Sequence, residues 1–176
     1  MRWVFFVIAL SGLSCRSYIN EMKQAYNKRQ EILQVFKNVS VFRDQRNNYI
    51  FLHTYNNSKQ NQYIFSANQN EYSFERDSIL FSPDGILNIV SEGDPSYKKQ
   101  LNERIKFYLK KMDSLNISDV SSDFISQGIT LKIYMKSKAI LLYVVDPKNV
   151  INQEWVNYLK SMKKFDDNWY YSGQDK

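Results

Sequence analysis

The sequence predicts an α+β fold: one antiparallel sheet of about five to seven strands, packed with an N-terminal helix, a central helix and a C-terminal helix. Three observations predict it. Apolar residues recur at spacings of three and four in three separate stretches. Residues 41–92 break into short aromatic and β-branched runs punctuated by Asn, Ser, Pro and Gly. Residues 128–136 alternate apolar and polar, and residues 139–145 are apolar throughout.

The first helix is expected over residues 18–37. Ile19, Met22, Tyr26, Leu33 and Phe36 form its apolar stripe, with Lys23, Asn27, Lys28, Arg29, Gln30 and Glu31 interspersed. A meander follows. Its runs are Tyr49–Tyr55, Gln62–Ser66, Glu71–Glu75, Ser78–Phe81 and Ile86–Val90. Ser82-Pro83-Asp84-Gly85 gives the last two a turn, with Pro at the first inner position and Gly at the end. Asp94-Pro95 opens the central helix, Asp as cap and Pro at the first helical position. Tyr97, Leu101, Ile105, Leu109 and Met112 line its buried face, and it ends near Asn116.

Ile129, Leu131, Ile133 and Met135 predict a strand with an apolar inner face and a wet outer one. Ala139–Val145 suits a strand covered on both faces, paired with the first through Ser137-Lys138. The last helix spans about residues 150–164, with Ile151, Trp155, Tyr158, Leu159 and Met162 as its stripe. The aromatic tail at Trp169-Tyr170-Tyr171 adds a short edge strand or covers one end of the core.

The start of the chain carries a different signal. Arg2 precedes an apolar run from Trp3 to Leu10, then Ser11-Gly12-Leu13-Ser14 and Cys15, the single cysteine. The run is shorter than the ~20 apolar residues a membrane-spanning helix needs, and it has the layout of a secretory signal. With Cys15 at the cut, the start resembles that of a bacterial lipoprotein. Ser14 fits the small position before the cysteine; Gly12 stands where leucine is usual, and Leu13 falls one place late. The resemblance implies removal of residues 1–14, a diacylglycerol on the Cys15 thiol and acylation of the new amino terminus. An ordinary signal cut nearby, or a buried core cysteine, is the alternative reading. Each buried methylene contributes about 0.8 kcal/mol, so several acyl chains make a permanent anchor where one is marginal.

Residues 15–176 then form a single domain. The chain has 15% aromatic residues, 5 Gly and 3 Pro, which excludes a disordered polymer. Loss of Arg2 with the signal lowers the net charge from +6 to +5, and no second cysteine remains for an internal disulfide. A modest positive excess suits an anionic membrane surface or an acidic partner. It does not by itself imply nucleic acid, and none is expected as a partner in an exported protein.

No phosphate loop, nucleophile elbow or paired metal-ligand motif is present. No catalytic residue, cofactor or metal is therefore assigned. His53, the single histidine, lies in a strand pattern and reads as structural or as a sheet-surface residue; a catalytic base is the alternative. Asp166-Asp167 reads as a polar turn in preference to an acid–base pair. The candidate interaction surface comprises Lys98, Lys99, Lys106 and Lys110 on the basic central helix, with Trp169 and Tyr170 in the tail. The leading expectation is a non-enzymatic, membrane-anchored cell-envelope protein, facing the periplasm or the outside and binding a protein partner. A small-ligand or lipid-binding envelope protein is the second reading, and an envelope hydrolase with dispersed residues the third.

Overall fold

The computed structural model describes residues 18–56, 59–68, 71–81, 88–90 and 95–173. Cys15, the Ser82–Gly85 turn and the Asp94 cap lie outside them. In chain order the elements are a helix over residues 18–27 (α1), α2 (Arg29–Phe36), β1 (Val39–Asp44), β2 (Tyr49–Asn56), β3 (Lys59–Asn68), β4 (Glu71–Phe81), β5 (Asn88–Val90), α3 (Pro95–Ser114), β6 (Ile117–Ser121), β7 (Leu131–Met135), β8 (Ile140–Tyr143), α4 (Gln153–Ser161), β9 (Lys163–Lys164) and β10 (Trp169–Ser172).

Mixed helix and sheet, with one antiparallel sheet, is as expected. The strand count is not. Among the described residues ten strands pair in the order β5-β4-β3-β2-β1-β6-β7-β8-β10-β9, nine of them three residues or longer and β9 only two. The excess over five to seven comes from β1, β6 and β9. The first two start directly behind helices, each after an Asn in the left-handed region (Asn38 at φ 66°, Asn116 at φ 60°), a residue that tolerates that backbone. The expected runs 71–75 and 78–81 are one strand, β4, whose pairing with β3 continues through Arg76 and Asp77. Asp77, Ser78 and Ile79 pair with Val90, Ile89 and Asn88, so the strands flanking the expected turn are antiparallel neighbours.

The predicted helix 18–37 is broken at Lys28 into α1 and α2. Met22, Ala25, Ile32 and Phe36 from this pair, and Leu101, Ile105 and Met112 from α3, pack on one face of the sheet. Val41, Leu52, Phe65, Ile117, Val120, Leu131, Ile133 and Leu141 meet them there. Fully burying one such aliphatic side chain contributes about 1.5–3 kcal/mol. The opposite face carries a second, smaller core under α4: Ile129, Ile140, Leu142, Val144, Val150, Leu159 and Tyr170. The residues of β8 therefore alternate between two cores, the reason its sequence is apolar at every position.

Four details correct the sequence reading. The outer face of β7 is not uniformly wet: Lys132 is 8% exposed. Its ammonium lies 4.7 Å from the Tyr134 ring, 5.5 Å from Trp155 and 5.8 Å from Tyr158, a cation–π arrangement under α4. Ile129 leaves the face of Leu131 because β7 has not yet begun; Gly128, at φ 90°, turns the chain there, where a Cβ would meet the Val150 backbone at 3.0 Å. Ile151 is 84% exposed, since Asn152 caps α4 through the amides of Glu154 and Trp155 and leaves Ile151 outside the helix. Trp169 and Tyr170 are 2% and 3% exposed, one in each core, and thus form no surface.

The tail turns inward through Asp166. One carboxylate oxygen accepts the amides of Asn168 and Trp169, both at 2.8 Å; the other accepts the Tyr26 hydroxyl at 2.8 Å. The Tyr26 ring stacks on Phe165, and Phe165 stacks on Tyr171. Burial pushes the Asp166 carboxyl up, but the Tyr26 hydroxyl, the two amides and Arg29 outweigh it and hold it below the usual carboxylate range. Stability from this contact is thus present above the ordinary Asp value, about 3.9, and lost as pH falls through the lower folded value. Tyr26→Phe is expected to be less stable than the parent at neutral pH, with the gap closing below about pH 4. Urea unfolding from pH 3 to 7 checks this; a gap of the same size at both ends contradicts it.

Candidate functional site

On β1 and β2, Val39, Val41, Ile50 and Leu52 enter the helix-covered core, so Ser40 and Phe42, and Phe51, His53 and Tyr55, face the other way. Register adds Gln60, Gln62 and Ile64 of β3, which pair with Tyr55, His53 and Phe51. This is the side that α4 covers, but α4 sits over β7, β8 and β10. Among the described residues, neither core includes Phe42, Tyr49, Phe51 or Tyr55. Tyr49, at the end of the row, is 40% exposed. The result is an aromatic sheet face beside the α4 shelf, with a polar cluster at its centre.

That cluster gathers around His53. Nδ1 lies 2.9 Å from the Gln60 amide and Nε2 lies 3.1 Å from the Gln62 amide. A neutral imidazole offers one N–H and one lone pair, so one glutamine must present its oxygen and the other its NH₂. Asp123 Oδ1 stands 3.6 Å from Nδ1, beyond ordinary hydrogen-bond reach. The Phe42 ring meets the imidazole edge-on at 5.5 Å.

Ser40, His53 and Asp123 are the residue types of a hydrolytic triad, but their wiring is different. Ser40 Oγ donates to Asp123 Oδ1 at 3.1 Å and accepts the Ser122 amide at 2.7 Å; the Tyr55 hydroxyl stands 3.3 Å away. The serine proton therefore goes to the carboxylate directly, with no imidazole between them. Ser121 Oγ donates to the other Asp123 oxygen at 3.1 Å. Ser40 is fully buried, which keeps an electrophile from its oxygen. The arrangement can orient hydrogen-bonding groups on a surface; it is not built to activate a nucleophile.

The other sequence candidates fall elsewhere. Lys99, Lys106 and Lys110 are exposed on α3, and Lys98 is half-buried at its side. Trp169 and Tyr170 are inside the two cores, and Cys15 lies outside the described residues. Asp166 serves the turn described above. No three His, Cys, Asp or Glu side chains gather into a metal-binding group among the described residues, and no helix among them is long and apolar enough to cross a membrane. Grooves of about 480 Å³ beside α1 and the end of α3, and about 470 Å³ against β6 and β7, are open and of mixed polarity. The sequence reading missed Ser40, Gln60, Gln62 and Asp123. Strand alternation around His53 contains the signal for the glutamines once the β2–β3 register is known; Asp123 arrives from a distant loop with no local signal.

No protein-family model matches this chain, and neither a curated protein nor a solved structure shows a significant match to it.

The wiring yields a two-part expectation. Ser40→Ala strips the acceptor from the buried Ser122 amide and should cost about 1–3 kcal/mol of stability, measured by denaturant unfolding. A fluorophosphonate probe should leave Ser40 unlabelled in the intact protein. Stoichiometric labelling of Ser40 contradicts the reading.

Proposed function

We propose that the protein is a membrane-anchored lipoprotein of the cell envelope that acts by protein contact through the open half of its sheet. The single observation behind the contact is the row Phe42, Tyr49, Phe51 and Tyr55, on the side of β1 and β2 away from the helix-covered core and, among the described residues, taken into neither hydrophobic core. Tyrosine and phenylalanine are enriched at protein interfaces, where they supply large buried area at small entropic cost. The glutamine–histidine cluster beside them supplies directional hydrogen bonds, which fix register more than they add affinity. Support for the anchor is the N-terminal pattern Arg2, Trp3–Leu10 and Cys15.

Cys15 gives the attachment and the sheet face gives the contact, and each is tested separately. Cys15→Ser should accumulate as an uncut precursor or move to the soluble fraction. A photo-crosslinking residue at Tyr49 in intact envelopes should give a discrete adduct that the same residue at exposed Gln34 on α2 does not. Phe51→Ala should reduce that adduct several-fold without altering the secondary-structure spectrum. Equal adducts from both positions, or none from Tyr49, would remove the sheet face as the contact.

A further inference from the structure

The layer formed by α1, α2 and α3 has a charge distribution that neither the core nor the sheet face uses. On α3, Lys99, Glu103, Lys106 and Lys110 succeed one another at steps of four, three and four, which places them in one row. All four are exposed, whereas Leu101, Ile105, Tyr108, Leu109 and Met112 are buried on the side toward the sheet. Phe107 lies beside the row and is 49% exposed.

One acid, Glu103, stands within the row, and two described acids near its C-terminal end pair with other cations. Glu31 takes Lys111 at 2.7 Å, and Asp113 takes Lys136 at 3.0 Å and Arg43 at 3.2 Å. None of Lys99, Lys106 and Lys110 takes part in an ion pair among the described residues. Lys23 and Lys28 are exposed on the neighbouring α1 and its end. Five exposed lysines against Glu103 therefore leave the outer surface of the layer with a net positive charge.

We infer that this layer docks on an anionic lipid bilayer, with the lysine row at the headgroups and Phe107 at the interface. The row is made of lysines, compact charges on flexible stems that follow mobile phosphates; a fixed carboxylate partner favours the arginine fork. The layer is also the one whose first described residue, Tyr18, follows Cys15 by three positions, too few to hold the layer away from the surface to which Cys15 is attached. The inference rests on the membrane-anchored reading for its orientation, and it turns the sheet face of β1–β3 away from the membrane.

Vesicle binding tests it without the anchor. The full chain carrying Cys15→Ser is compared on phosphatidylcholine vesicles with and without phosphatidylglycerol, by sedimentation at about 0.1 M salt. The difference between the two vesicle types removes any contribution from the N-terminal apolar run. Preference for the anionic vesicles is expected, and it should fade toward 1 M salt. Lys99→Gln with Lys106→Gln and Lys110→Gln should cut that preference by about fivefold per lysine. Lys148→Gln with Lys160→Gln and Lys163→Gln, exposed positions outside the layer, should change it by less than about twofold. Unfolding midpoints of the two triple variants should match. Equal losses in both, no anionic preference, or binding to polyglutamate but not to vesicles overturns the inference. An unlipidated Cys15 in cells, by contrast, would leave the vesicle result standing and sink the anchor alone.

Discussion

β1 and β6 meet at one backbone register point, Val41 opposite Val120, and side chains hold the rest of that seam. The Arg43 amide donates to Asp119 Oδ1 at 3.0 Å. The Ser122 amide donates to Ser40 Oγ, and Ser122 Oγ donates to the carbonyls of Phe36 and Val39 at 3.3 and 3.2 Å. Ser40 then reaches Asp123. All the strands before the seam belong to the meander β1–β5, and all those beyond it come from the C-terminal part of the chain. Polar bonds at fully buried serines join the two parts into one plate, and an unmet donor or acceptor there would cost more than the bond itself contributes.

One plate gives two unlike sides. Three helices cover one side completely enough to bury residues from both halves of the sheet. On the other side α4 covers only the C-terminal half and closes Lys132 beneath its aromatics. On the meander half Phe42, Phe51 and Tyr55 are half-buried and Tyr49 is exposed, with His53 held at the seam's border by two glutamines. At the sheet edge, β9 consists of two exposed lysines, residues that discourage a further strand from adding. Growth of the sheet into another chain is thus disfavoured at that edge. The proposed roles follow this division: charge on the helical side, aromatic and hydrogen-bonding groups on the open sheet side.

The sequence announced what depends on local pattern. The β7–β8 pair follows from alternation on one strand and apolar continuity on the next, and α3 starts at the proline that was expected to open it. It hid what depends on distant partners. β1 lies between the end of the expected helix at residue 37 and the first expected run at Tyr49, a stretch to which no strand was assigned. β6 has a register irregularity between Ile117 and Asp119, which disrupts its period. Trp169 follows Asp166-Asp167-Asn168 and looks exposed, until Asp166 accepts its amide and folds it under α1. The basic face of α3 was legible in full except for Lys98, which the helix turns toward its flank. The company of His53 was legible on β3 and illegible at Asp123, because only the seam brings that loop to the histidine.

Native-state hydrogen exchange tests the seam most directly. If β1 and β6 join one cooperative plate, the slowest amides of β2, β6 and β7 should exchange with the same opening free energy, that of global unfolding. Two distinct free energies, one for β1–β5 and another for β6–β10, would show two sheets laid side by side and contradict the account.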